Sequence, residues 1–123
     1  MTCPFCNPTT AEIVLSNDLA FARFDEFPVN PGHILIIPKR HVSSYFDTTQ
    51  EEQQSMNELL LACKHLLDTK YEPDGYNVGI NIGEAAGQSV FHVHMHLIPR
   101  YVGDIDNPRG GIRKVITGRR LGS

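Results

Sequence analysis

The chain has 123 residues, is 41% apolar by count and carries a formal charge of −3, which predicts one compact domain over residues 1–123 with a core of its own. No apolar run approaches the ~20 residues of a membrane helix, and the amino terminus lacks the basic and hydrophobic regions of a signal peptide. The slight acidity is the wrong sign for a dedicated nucleic-acid binder, so a cytoplasmic protein with neither membrane nor nucleic-acid partners is expected.

Cys3-Pro4-Phe5-Cys6 comes first in the chain. Three cysteines make no disulfide framework, and a Cys-x-x-Cys pair in a reducing compartment points to metal or redox chemistry. Redox pairs sit between a strand and a helix amino terminus, whose dipole lowers one thiol pKa. Neither pattern flanks this pair, which favours a structural zinc clip in which two imidazoles complete a tetrahedron. Cys63 stands apart.

"EIVLS" and "LAFARFD" read as two strands joined by a turn at Asn17-Asp18. In "FPVNPGHILIIPKRH", Pro28, Pro31 and Gly32 mark a loop that enters a buried strand over Ile34 to Ile37, which Pro38 ends. From Thr48 to Lys70 the period changes. Thr49-x-x-Glu52 forms a capping box, and Met56, Leu59, Leu60, Cys63, Leu66 and Leu67 keep one apolar face, so a long helix is expected. His65 lies on its surface. Pro73-Asp74-Gly75 is a turn, "YNVGINIG" (76–83) alternates as a strand, and the Gly-rich loop "GEAAGQS" (83–89) leads into a last strand, "FHVHMHLIPR" (91–100). Residues 103–123 form a Gly-, Pro- and Arg-rich tail that orders on contact. These elements predict an α+β domain, an antiparallel sheet of about five strands with one long helix and a shorter one.

In the last strand, His92, His94 and His96 fall on one face and Val93, Met95 and Leu97 on the other, because side chains alternate. Three idle imidazoles would leave six ring nitrogens to satisfy, so packing alone is a poor explanation. Two functional readings stand open: the three rings share a catalytic zinc, or one ring is a nucleophile that its neighbours orient and supply with protons. The loop from Gly83 to Ser89 adds backbone amides, the Gln88 amide and the Ser89 hydroxyl, the donors of a phosphate cradle. That neighbour favours phosphoryl or nucleotidyl chemistry.

"HVHMHLI", with "PGHILIIPKRH", "NIGEAAGQSVFHVHMH", the Cys-x-x-Cys pair and "PRGGIRKVI", resembles in order the histidine triad (HIT) family of nucleotide hydrolases and transferases, and most of all its small stand-alone bacterial members. The resemblance implies a nucleotide substrate, such as a dinucleoside polyphosphate or a nucleoside phosphoramidate, attacked at its α-phosphorus by His94 to give a nucleotidyl-histidine that water resolves. It assigns His96 to the bridging and non-bridging oxygens and His33 to orientation of the triad. Asn81, Gln88 and Ser89 would contact phosphate, and Asp25 the ribose hydroxyls. His41 and His92 would join Cys3 and Cys6 on a structural zinc, with His92 supporting the triad and no catalytic metal or organic cofactor required. Arg23 and Glu26 stand where relatives have apolar or aromatic base-pocket residues. The family is commonly homodimeric, and the apolar face of the 49–70 helix could serve a dimer as readily as the core. The competing expectations are a nucleotide-binding or signalling module with little catalysis, and a zinc hydrolase with His92, His94 and His96 as ligands.

Overall fold

The computed structural model describes residues 3–116. Its strands are β1 (Leu15–Ser16), β2 (Ala20–Phe24), β3 (Ile34–Pro38), β4 (Gly75–Ile80) and β5 (Met95–Arg100), with a single α-helix among the described residues, α1 (Gln50–Tyr71). The sheet order is β1-β2-β3-β5-β4 and every neighbouring pair is antiparallel.

The expected hairpin, central strand and long helix are all present. β3 is buried along its whole length, as its unbroken apolar run requires of a strand covered on both faces. On one face, Ile34 and Ile36 meet Ala20, Ala22 and Leu97 of the neighbouring strands and Met56, Leu59, Cys63 and Leu67 of α1. On the other, Leu35 and Ile37 join Phe21 and Phe5. The helix therefore covers one side of the sheet, and the amino-terminal segment covers part of the other. Met56, Leu59, Cys63 and Leu67 of the apolar face of α1 are buried under the sheet and are not available to a dimer, while Leu60 and Leu66 are half-buried. Burial pushes the Cys63 thiol up to about 11, which leaves it protonated and inert.

The ends of α1 are set by local chemistry. Thr49 and Glu52 form the expected capping box, and the buried Glu52 carboxylate also accepts from Arg40 Nε at 3.0 Å and Nη2 at 2.8 Å. This pair ties the segment after β3 to the helix. At the other end Glu72 takes a left-handed conformation (φ 50°) before Pro73, which cannot continue the helix.

Three expectations are corrected. The shorter helix is absent among the described residues: the remaining helical pieces are 3₁₀ turns of three to five residues, too short to repay α-helix nucleation. The strand expected over 76–83 ends at Ile80. The strand expected over 91–100 begins only at Met95, because its partner β3 ends in Pro38, which has no N–H to extend the ladder. Within the tail, a 3₁₀ turn at Gly111–Val115 lies against β4. The tail's last residues, 117–123, lie outside the described ones.

Gly32 adopts φ 90°, and a Cβ there would meet Pro99 and Tyr71 at 3.1 Å, so the turn that delivers His33 to β3 requires glycine. Removing the Glu52 carboxylate should cost both the cap and the Arg40 pair. Glu52→Ala is expected to lower the unfolding free energy by about 2 kcal/mol in urea denaturation, and Glu52→Gln, which keeps a capping oxygen, by less.

Candidate functional site

The sheet face opposite α1 carries a cleft of about 360 Å³ lined by Pro4, Phe5, Arg23, Asp25, Glu26, Phe27, Leu35, Asn81, Gly87, Ser89, Val90, His94 and His96. Of the residues singled out in the sequence, His94, His96, Asp25, Asn81, Ser89, Arg23 and Glu26 line this cleft. His33 sits behind His96, while His92, His41, Cys3 and Cys6 form a separate cluster.

The three triad histidines do not share one face. His96 lies within β5, opposite Leu35 of β3 and Gly79 of β4. His92 and His94 precede the strand, where the backbone follows another path: Val93 N–H donates to the Val42 carbonyl at 2.8 Å. The fully buried His92 ring turns away from the cleft. A zinc shared by all three rings finds no support in this geometry, since the free Nδ1 of His92 faces Cys3 and Cys6 while His94 and His96 line the cleft.

Those hydrogen bonds fix the tautomers, because a carbonyl only accepts and a backbone N–H only donates. His94 Nδ1–H donates to the His92 carbonyl at 2.9 Å, which leaves Nε2 with its lone pair. His92 Nε2–H donates to the Pro38 carbonyl at 2.7 Å, so its Nδ1 lone pair points at Cys3 Sγ, 3.3 Å away. Val29 N–H donates to His33 Nδ1 at 3.2 Å, which places the His33 proton on Nε2. That proton is donated to His96 Nδ1 at 2.9 Å, so His96 keeps its own proton on Nε2. The cleft is thus offered a lone pair by His94 and an N–H by His96, rings whose centroids are 5.1 Å apart.

Burial holds the supporting rings neutral. It lowers the pKa of His33, against the pull of Asp25, whose Oδ2 is 3.4 Å from Nε2. It lowers His96 from its ordinary 6.5 to about 4, helped by nearby His94 and His33. Asp25, His33 and His96 are close enough to surround a cation, but His33 Nδ1 already accepts a main-chain proton and Nε2 bears one. That arrangement suits a proton chain, and ligation would require an imidazolate or the loss of the Val29 bond.

Cys3, Cys6, His41 and His92 form the other cluster, with their Sγ and Nδ1 atoms all within 4.8 Å of one another. Cys6 Sγ lies 3.1 Å from His41 Nδ1 and 3.6 Å from His92 Nδ1. Such separations suit donors on a tetrahedron about one metal ion. A hydrogen bond donated by the Cys6 thiol to Cys3, with desolvation, raises the Cys6 pKa, the opposite of what an attacking redox thiol requires.

The Gly-rich loop is built differently from the expected cradle. Gly83 N–H is held by Gln88 Oε1 at 2.8 Å, and the amides of Ala86, Gly87 and Gln88 bond to carbonyls inside the loop. Gln88 itself is buried and donates to the Ser43 and Val90 carbonyls at 2.8 and 3.2 Å. It braces the loop, and Ser89 and Asn81 remain at the cleft. Pro4 and Phe5 are cleft residues that motif reading missed. They lie between the two thiols and form a cleft wall, with the Phe5 ring 5.1 Å from that of His94. The only sequence signal was an aromatic residue inside the Cys-x-x-Cys pair.

The neutrality of His96 is measurable. In the unfolded chain this ring takes up a proton as pH falls through 6.5, whereas the folded one does so only near 4. The unfolded state therefore binds more protons in that window, and stability should drop on acidification by a contribution on the order of 3 kcal/mol. NMR titration should find the His96 ring still neutral at pH 5, and His96→Asn should flatten the pH dependence of urea unfolding between 6.5 and 4.

A family profile described as the HIT domain matches residues 7–103, a span that contains the cleft histidines. A bis(5′-adenosyl)-triphosphatase of Dictyostelium discoideum is 38% identical over 100 residues, 79% of this chain and 65% of that protein. An AP-4-A phosphorylase of Mycobacterium tuberculosis is 34% identical over 93 residues, 75% of this chain and 48% of that protein. A Zn-bound histidine triad family protein from Mycobacterium smegmatis, solved by crystallography, superposes with a TM-score of 0.74 at 32% identity, covering 84% of this chain and 78% of that one. With the ordered motifs, the five-stranded sheet and the paired histidines in its cleft, this chain belongs to the histidine triad (HIT) family.

Proposed function

We propose that the chain is a nucleotide hydrolase or nucleotidyl transferase acting at the α-phosphate, with dinucleoside polyphosphates as its substrate class. The observation that carries this reading is the His94 ring: its Nδ1–H is held by the His92 carbonyl at 2.9 Å and its Nε2 lone pair is left for the cleft. A neutral imidazole so oriented is a competent nucleophile near pH 7. The names of the triphosphatase and phosphorylase relatives support the substrate class.

In the proposed reaction, Nε2 of His94 attacks the α-phosphorus. A P–N bond forms, the bridging P–O bond breaks, and the leaving phosphate departs with the electron pair. His96 Nε2–H donates a hydrogen bond to the bridging or a non-bridging oxygen, where negative charge grows. Because the His96 ring is neutral, it stabilises that charge better than it transfers a proton, which favours phosphate leaving groups over amines. Water then attacks phosphorus, the P–N bond breaks, and a proton of the water passes to solvent. Inorganic phosphate as acceptor in place of water would make the same intermediate a phosphorolytic one.

Asn81 and Ser89 contact phosphate in this reading, and Asp25 accepts from ribose hydroxyls through Oδ2, since Oδ1 already accepts Phe27 N–H at 2.9 Å. Gln88 acts through the loop it braces. The reading includes the homodimer expected from the resemblance, though not by way of the buried face of α1. Cys3, Cys6, His41 and His92 would hold zinc, a proposal that the zinc-bound relative supports. When bound, the ion would supply the charge that keeps both thiols ionised together and cross-link the amino-terminal segment to the triad.

His94→Ala is expected to lower kcat on bis(5′-adenosyl) triphosphate by about 10³-fold or more, and a quench of wild type with labelled substrate should trap an acid-labile adduct on His94. Turnover that survives the substitution, with no adduct, would sink the covalent route. Elemental analysis of purified protein should find about one zinc per chain. The Cys3→Ser, Cys6→Ser double variant should contain none and His94→Ala should keep it. The reverse pattern would favour a metallohydrolase.

A further inference from the structure

The end of the cleft beyond Asp25 carries charge. Arg23, only 6% exposed, lines the cleft together with Glu26 and Phe27. Its Nη1 is 2.9 Å from Glu12 Oε2 and its Nη2 is 3.0 Å from Glu26 Oε1. Glu12 is in turn held by Thr9, whose N–H and hydroxyl donate to Oε1 at 2.9 and 3.0 Å. Both terminal nitrogens of the guanidinium are thus engaged by carboxylates, and Arg23 serves as a clamp that presents Glu26. The Glu26 side chain is 67% exposed, and its carboxylate keeps acceptor capacity on both oxygens, since Oε1 takes one bond from Arg23 and each oxygen has two lone pairs. The neighbouring Phe27 ring, 83% exposed, offers an aromatic face at the rim for a base to stack on.

A carboxylate held at this position discriminates among bases by their edges. Guanine presents two adjacent donors, N1–H and the exocyclic N2–H, which one carboxylate can accept together. Adenine and cytosine present one amine beside a ring-nitrogen acceptor, whose lone pair would face the second carboxylate oxygen. Uracil places its single N–H between two carbonyls. Only guanine meets the carboxylate with two donors and no opposing lone pair.

We propose that Glu26, held by the Arg23 clamp, reads the base of the bound nucleotide and selects guanine over adenine. This rests on the nucleotide reading above and specifies the substrate within it. Glu26 is the specificity-determining contact and Arg23 a positioning residue, since the guanidinium acts through the carboxylate that it holds.

The test compares kcat/KM for bis(5′-guanosyl) and bis(5′-adenosyl) triphosphate on wild type and Glu26→Gln. Wild type should favour the guanosine substrate by about 5- to 20-fold, the low end for a bidentate base contact, given the exposure of Glu26. In Glu26→Gln the ratio should fall to about 1, through loss on the guanosine side. A wild-type ratio within about twofold, or the same ratio in both proteins, overturns the proposal. Calorimetric dissociation constants for GMP and AMP on the same two proteins supply an arm that needs no catalysis. If neither triphosphate is turned over, the hydrolase reading fails, and the GMP-to-AMP ratio still decides base selection by the same criteria.

Discussion

His92 holds the site together, although its ring never reaches the cleft. Its Nε2–H is bound to the carbonyl of Pro38, the residue at which β3 ends. Its Nδ1 faces the two thiols, and its own carbonyl orients His94. One buried residue therefore connects the central strand, the amino-terminal cysteines and the candidate nucleophile. The bond to Pro38 also selects the tautomer that turns a lone pair toward the sulfurs, so the strand end and the metal-competent cluster depend on the same proton.

Around that residue the cleft divides by chemistry. Apolar side chains of Phe5, Leu35 and Val90 form one part of its lining, and Asp25, Asn81, Ser89 and the two histidines form another. Such a mixed lining suits a ligand that carries both a flat base and phosphates. The Phe5 ring links the two parts. It packs edge-on against both His92 and His94 while joining the core under Phe21 and Ile37, so the ring that backs the candidate nucleophile is anchored in the sheet.

Periodicity made much of the fold legible: the capping box at Thr49, the helical spacing from Met56 to Leu67, and the unbroken run of β3 all correspond to elements of the structure. Alternation failed at residues 91–94, because strand period presumes a partner and Pro38 withdraws it. The histidine spacing marked residues that the structure gathers at the cleft and at the cysteine pair, but not the direction of the His92 ring, which a main-chain carbonyl decides. The Gly-rich loop was recognisable as a loop, yet the use of its amides was not, since Gln88 captures Gly83 N–H through a contact five residues away in sequence. Motif reading found residue types suited to chemistry, while the atoms that set their protonation, the Pro38 carbonyl and the Val29 amide, belong to the backbone and leave no compositional trace.

The Val29 amide gives the His33–His96 pair a polarity. A hydrogen-bonded pair of neutral imidazoles can be written in two directions, with the proton facing outward or inward. The main-chain N–H at Val29 removes one of them, since it has nothing to accept with, and the outward N–H on His96 follows. Val29 is itself exposed, and its side chain is free to vary without reversing that direction, for every residue but one carries the same amide. The polarity of the pair is thus insensitive to sequence drift at the position that sets it, and proline is the single residue that would erase it.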